Sequence, residues 1–288
     1  MSILELLATL KNMDVQLALK GEQLAAQGNK QALSDPSILA ALREHKPALI
    51  ELIKAGEYSA SKAGAVDVPA NGIPAGAERI TPAMLTLSDL SQDEIERIVA
   101  SVEGGVANIQ DIYPLAPLQE GILFHHVSAE HGDPYVMQSQ FAFDSLERFE
   151  AFAQALQGVI ERHDILRTGV VWDGLQQPSQ VVWRNARLPV LAVDLDPAHG
   201  DIAAQLHERF DARHFRLDVT QAPLLRLAWA RDPARGRIVA MLLFHHMALD
   251  HSALEVVRHE LQAFLQGNAA QLGHAVPFRN YVAQARLG

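Results

Sequence analysis

The sequence has no cysteine among its 288 residues, which excludes disulfide bridges, cysteine nucleophiles and thiolate zinc sites. It has no apolar stretch long enough to span a bilayer, and its N-terminus lacks a basic segment followed by an apolar one. The expected compartment is therefore the cytoplasm. Basic residues are in deficit: 24 Lys and Arg face 34 Asp and Glu, a formal charge of −10. That balance argues against nucleic acid and anionic membranes as partners. Residues 1–56 hold six basic and six acidic side chains, so the excess acidity lies downstream. No internal repeat is visible. With 49% hydrophobic and 20% charged residues the composition is globular, and the length suits one large domain with a small one.

The first 56 residues read as a small module. Ile3, Leu6, Leu7 and Leu10 share one helical face, and Val15, Leu17 and Leu19 alternate toward a turn at Lys20-Gly21-Glu22, after which Leu24 continues a hairpin. Asp35-Pro36 supplies a cap and a first helical position, and Pro47 opens a further helix carrying Leu49, Ile50, Leu52 and Ile53. Residues 57–80, rich in Ala, Gly, Ser and Pro, read as a flexible linker. Beyond it, Ser91 and Glu94 spell a capping box, and strand and helix signals alternate from Tyr113 onward. The predicted elements include strands at 135–143, 188–193, 224–230 and 238–244, a hairpin at 169–183, and helices at 146–162 and 202–210. This order suits an α/β (α+β) domain with a mixed sheet flanked by helices over residues 81–288. Trp172, Trp183 and Trp229 fall on predicted strands as core residues. Gly104-Gly105 is a turn without the context of a phosphate loop.

Chemistry concentrates at His245-His246-Met247-Ala248-Leu249-Asp250-His251, directly after the apolar run Ile238–Phe244 and before a helical pattern. Two imidazoles and a carboxylate thus meet at a strand–loop–helix junction, and imidazole moves protons near neutral pH. A second pair, His125-His126, precedes His131-Gly132-Asp133. All four of those histidines and acids are possible metal ligands. Adjacent histidines seldom both reach one ion, however, and the spacing matches no common helix-based site, so no metal is expected.

His245 to Asp250 resembles the HHxxxDG signature of condensation domains of nonribosomal peptide synthetases, in the chloramphenicol-acetyltransferase-like superfamily. Arg162-His163-Asp164-Ile165-Leu166-Arg167-Thr168 resembles the family's RHExLRT element with Asp for Glu. Pro114 to Gly121 resembles its first core motif, and Phe278 to Ala283 its fourth. By resemblance His246 is the catalytic histidine, and His245 and Asp250 hold the loop. Arg162, His163 and Arg167 would be structural, the arginines pairing with carboxylates such as Asp164 or Asp250. The segment His125 to Asp133 is similar to HHIxxxxGD, a mark of the dual epimerisation/condensation subtype, as are Asn108 to Tyr113 and His251. The resemblance implies that His125, His126 and Asp133 serve inversion of the donor residue.

Residues 1–56 resemble the TubC-type N-terminal docking domain. That implies a small α/β fold, often dimeric, which takes the C-terminal tail of an upstream synthetase subunit along the hairpin, with Leu17, Leu19, Lys20 and Leu24 at the docking surface. Substrates would be aminoacyl or peptidyl thioesters on the phosphopantetheine arms of peptidyl carrier proteins, with no cofactor bound by the chain itself. The likeness downstream of Ile80 covers the first of the family's two lobes, so the tunnel between lobes is expected to be incomplete here and the chain inactive alone. Two other readings stay open: a stand-alone acyltransferase of the superfamily, and a docking module without catalysis.

Overall fold

The computed structural model describes residues 6–7, 9–10, 15–20, 23–28, 33, 35–54 and 68–287, which form two compact units, residues 1–67 and Val68–Leu287. In the first, β1 (Val15–Lys20) pairs antiparallel with β2 (Gln23–Gly28), with Leu19 opposite Leu24 and Lys20 opposite Gln23. Asp35 caps α1 (Pro36–Glu44), accepting the Ser37 amide at 2.8 Å, while Pro36 sits where no N–H is required. α2 (Lys46–Lys54) follows, and Leu6, Leu7, Thr9 and Leu10 are helical. The order is helix, hairpin, helix, helix, as the sequence predicts.

Leu6, Leu10, Val15, Leu17, Ile38 and Leu49 form the core of this unit. Leu17, expected at the docking surface, lies instead in this core. At 2% exposure it is committed to the interior, because strand alternation turns Val15 and Leu17 to the same side. Leu19 and Leu24 are half-buried.

The second unit begins inside the expected linker. Residues 57–67 lie outside the described residues, but Ile73 and Ile80 are 5% and 1% exposed in a core with Ile95, Ile98, Ile109 and Trp183. Segment 68–80 is thus part of the fold. Average composition hid two isoleucines that suffice to anchor it.

The strands here are β3 (Ile109–Pro114), β4 (Val136–Phe143), β5 (Thr168–Val171), β6 (Ser179–Trp183), β7 (Val190–Ala192), β8 (Leu225–Asp232) and β9 (Arg237–His245). The helices are α3 (Gln92–Ser101), α4 (Pro117–Ser128), α5 (Leu146–Arg162), α6 (Ile202–Arg209), α7 (His251–Leu265) and α8 (Phe278–Leu287). One sheet is antiparallel in the order β3-β6-β5; the other runs β4-β9-β8-β7 with β7 parallel to β8, so it is mixed. The strand expected over 188–193 shrinks to Val190–Ala192, since Pro189 has no N–H for the ladder.

β9 is buried on both faces. Ile238, Ala240, Leu242 and Phe244 pack with Phe149, Phe152, Leu156 and Val257 of α5 and α7, while Val239, Met241 and Leu243 meet Ile202 and Leu206 of α6. That double burial is why the run reads as continuous apolar sequence. α5 and α7 approach closely at Gly158, where a Cβ would collide with the Phe264 ring.

Glu260 on α7 ties the two helices. Its carboxylate accepts from Arg162 Nε at 3.0 Å and Nη2 at 3.3 Å, and meets His163 Nε2 at 2.8 Å. This corrects the sequence expectation that Arg162 pairs with Asp164 or Asp250. Burial disfavours the charged form of Glu260, but the Arg162 and His163 contacts outweigh it and hold the carboxyl below its ordinary range. Glu260→Ala leaves Arg162 and His163 without a counter-charge and should cost about 3 kcal/mol in urea unfolding. Glu260→Gln, which still accepts from Arg162, should cost less.

Candidate active site

The paired histidines at the end of β9 diverge because successive strand residues face opposite ways. His245 is fully buried; His246, in the turn that follows, is half-buried. The Nδ1 of His246 lies 3.0 Å from the Leu249 carbonyl, which only accepts, so in the neutral ring Nδ1 carries the proton and Nε2 keeps its lone pair. The His246 amide donates to the Tyr135 carbonyl at 2.9 Å, and the Tyr135 ring lies 10° from parallel to the imidazole, 6.4 Å away. Asp250 is exposed and caps α7, accepting the Ala253 amide at 2.7 Å. It pairs with neither Arg162 nor Arg167.

The second histidine pair is split the same way by a helix. Neighbours on α4 point about 100° apart, so His126 is buried and His125 exposed. His126 Nδ1 meets Asp133 Oδ2 at 2.5 Å, and His245 Nε2 meets the same oxygen at 3.0 Å. Asp133 Oδ1 accepts the Tyr135 amide at 2.9 Å. The two motifs therefore converge on one fully buried carboxylate. Of the residues expected to serve inversion, His126 and Asp133 are thus buried against each other and His125 alone is exposed. His125 lies against Phe124 and Tyr135, with ring centroids at 5.6 and 6.0 Å.

The loop between them is held rigidly. Gly132 has φ +62°, and a Cβ there would run into the Ala212 carbonyl, so the glycine of this motif is a packing requirement. Arg216 spans the loop, donating to the carbonyls of His126 at 2.5 Å, Ala129 at 2.6 Å and Gly132 at 3.1 Å. Neither Arg216 nor Tyr135 stands out as a site residue in the sequence; the aromatic residue two positions after Asp133 is the only local signal for either.

Burial alone would raise the pKa of Asp133, yet the His126, His245 and Tyr135 hydrogen bonds prevail and keep it far below the ordinary range. Burial lowers the pKa of His245 against the pull of Asp133, and its Nδ1 accepts the Met247 amide at 3.2 Å. His245 is accordingly neutral, with its proton on Nε2. Among the described residues, His126, Asp133 and His245 bring three ligand atoms within 4.8 Å of one another. Two ligands on a tetrahedral ion with ~2.0–2.1 Å bonds stand ~3.3 Å apart. The 2.5 and 3.0 Å separations here are hydrogen-bond distances, so this arrangement shares protons rather than a cation.

The other motifs build a scaffold. Arg167 donates to Gln110 Oε1 at 3.0 Å and to the Trp183 carbonyl, and Asp164 accepts the Phe278 amide at 3.0 Å. Arg279 on α8 meets the buried Asp111 at 2.5 Å and donates to Pro69 and Thr86. Burial pushes the Asp111 carboxyl up to about 6 despite Arg279.

Residues 109–287 match the family model of the condensation domain, and residues 3–54 that of the TubC N-terminal docking domain. The chain belongs to the condensation-domain family of nonribosomal peptide synthetases, with a TubC-type docking domain ahead of it. It is 50% identical over 243 residues to malpinin synthetase of Mortierella alpina, covering 84% of this chain and 3% of that protein. It is 47% identical over 228 residues to malpibaldin synthetase of the same organism, covering 79% and 4%. The chain therefore spans only a few per cent of the length of these curated relatives. Among solved structures, the EpoB cyclization-docking bidomain from Sorangium cellulosum shares the fold at a TM-score of 0.50 and 20% identity, over 99% of this chain and 48% of that one. Among the described residues no helix is long and apolar enough to cross a membrane.

Two buried groups should titrate in opposite senses. His245 is held below 6.5, so unfolded chain takes up a proton that folded chain refuses, and stability falls as pH drops below 6.5. Asp111 is raised from 3.8 to about 6, so folded chain keeps a proton that unfolded chain loses, and stability falls as pH rises through that window. Wild type minus Asp111→Asn stability should shrink by about 2 kcal/mol between pH 4 and 7. Wild type minus His245→Gln should instead shrink from pH 7 to 5. Urea midpoints across pH read both.

Proposed function

We propose that the chain receives the C-terminal tail of an upstream synthetase subunit on its docking unit and forms one side of an amide-forming site in the complete condensation domain. The observation that carries this reading is His246: its Nδ1 proton is engaged by Leu249, leaving Nε2 half-open with a free lone pair. A donor aminoacyl or peptidyl thioester and an acceptor amine would come on the phosphopantetheine arms of peptidyl carrier proteins. The amine nitrogen attacks the thioester carbonyl, the C–S bond breaks, and the ammonium proton passes to Nε2 and on to the departing thiolate. The chain needs no cofactor of its own for these steps, and their place is the cytoplasm.

The docking-domain match and the synthetase relatives favour this reading over a stand-alone acyltransferase. A second reading adds inversion of the donor Cα before condensation. It is supported by the His125 to Asp133 motif lying beside His246 through Tyr135.

In a synthetase carrying this sequence, His246→Ala should slow amide formation by roughly 10²–10⁴-fold without loss of fold, since one hydrogen bond at a half-buried site is removed. A variant that retains its rate would end the assignment and leave a docking module without this catalytic residue. Inversion predicts that an L-aminoacyl donor yields D product labelled by deuterium from solvent; unlabelled L product would leave condensation alone. For docking, candidate tail peptides titrated into the 288-residue chain should shift amide resonances of Val15–Gly28. Shifts confined to α1 and α2 would rule out strand addition.

A further inference from the structure

We propose that Asp133 is a positioning residue for His246, so that the second histidine motif acts through the first and serves condensation as much as inversion. This rests on the reading of His246 as the base. Two routes run from the buried carboxylate to that ring. Along the first, an ionised Asp133 only accepts, so His245 must donate through Nε2, at 3.0 Å. That leaves His245 Nδ1 to accept the Met247 amide, and the His245 carbonyl accepts Ala248 at 3.0 Å and Leu249 at 3.3 Å. The turn so closed places the Leu249 carbonyl on His246 Nδ1. Along the second, Asp133 Oδ1 fixes the Tyr135 amide, and Tyr135 in turn takes the His246 amide on its carbonyl and stacks on its ring.

His126 belongs to the same device. Its Nδ1–H is the other donor to Oδ2, and its backbone is pinned through Arg216. It supplies the hydrogen bond that keeps Asp133 ionised and aimed at His245. At 5% exposure, its ring is committed to the carboxylate. His126 and Asp133 therefore add support beneath the base at His246.

The test is imidazole ¹⁵N spectroscopy on the 288-residue chain, joined to rates in a synthetase carrying it. In wild type at pH 7 the two neighbours should show opposite tautomers, His245 protonated on Nε2 and His246 on Nδ1. Asp133→Asn places an amide where the carboxylate stood. His246 should then become a mixture of tautomers, and condensation and inversion should slow together by roughly 10–100-fold. His126→Asn, which keeps an N–H donor at the Nδ1 position, should recover most of what His126→Ala loses. An unchanged His246 signature and unchanged rates in Asp133→Asn would overturn the proposal, as would slowing of inversion alone. If Asp133→Asn does not fold, wild type decides: His245 found charged or protonated on Nδ1 at pH 7 overturns it. Slowing in Asp133→Asn with full activity in His246→Ala would instead remove the base assignment on which the inference rests.

Discussion

A carboxylate with no exposure to water organises the candidate site. Asp133 is stable as an anion only because three N–H groups reach it, one from α4, one from the end of β9 and one from its own loop. Those donors come from elements that local sequence places independently. Their convergence requires that β4 and β9 pair in the observed register, with Val136 opposite His245, and that the Gly132 loop turn tightly against Ala212. A slip of one residue would turn His245 to the other face of the sheet and leave a buried charge unpaired. The register that buries the apolar faces of β9 is thus also the one that assembles the site.

A second buried carboxylate behaves differently, and the contrast is instructive. Asp111 also sits in the interior and meets Arg279 at 2.5 Å, yet its pKa rises to about 6 while that of Asp133 falls. Burial is the largest influence on both. Asp133 offsets it with two imidazole donors and a backbone amide, whereas Asp111 has the Arg279 guanidinium and one amide from Ile112. Asp111 serves to seat α8 against β3, a task that tolerates either protonation state. Asp133 must stay an acceptor, because a protonated carboxyl would compete to donate to the imidazoles.

Much of this was legible in the sequence where the cause is local. The bounds of α5, the cap at Ser91, the Asp35-Pro36 start and the hairpin at Leu19 and Leu24 follow from caps and periodicity, and the structure has them there. The four motifs were readable as residues but not as partnerships. Arg162 finds Glu260 across 98 positions, His245 finds Asp133 across 112 and Arg279 finds Asp111 across 168. No spacing rule connects such pairs, and an acidic chain offers each arginine many equivalent carboxylates. Composition also misjudges segment 68–80, because two buried isoleucines outweigh a run of small residues, and the docking-domain resemblance places at the surface a Leu17 that strand alternation turns inward.

Why each motif doubles its histidine also follows from geometry. A strand sends consecutive side chains to opposite faces, and a helix sends them about 100° apart, so in either element a pair of neighbours at a boundary yields one buried ring and one open ring. On β9 the buried member is His245 and the open one His246; on α4 they are His126 and His125. The buried rings are the ones that share Asp133, their centroids 5.5 Å apart and their planes at 82°. An imidazole is suited to that position because it donates from one nitrogen to the carboxylate while the other nitrogen stays free to accept, as His245 does from Met247. A lysine or arginine would only donate, and an asparagine carries its donor and acceptor on one carbon, so they cannot reach partners as far apart as the two nitrogens of an imidazole do. The open rings inherit a fixed backbone without carrying a charge into the core. His246 thus keeps its Nδ1 on the Leu249 carbonyl and its ring against Tyr135 while the carboxylate stays buried.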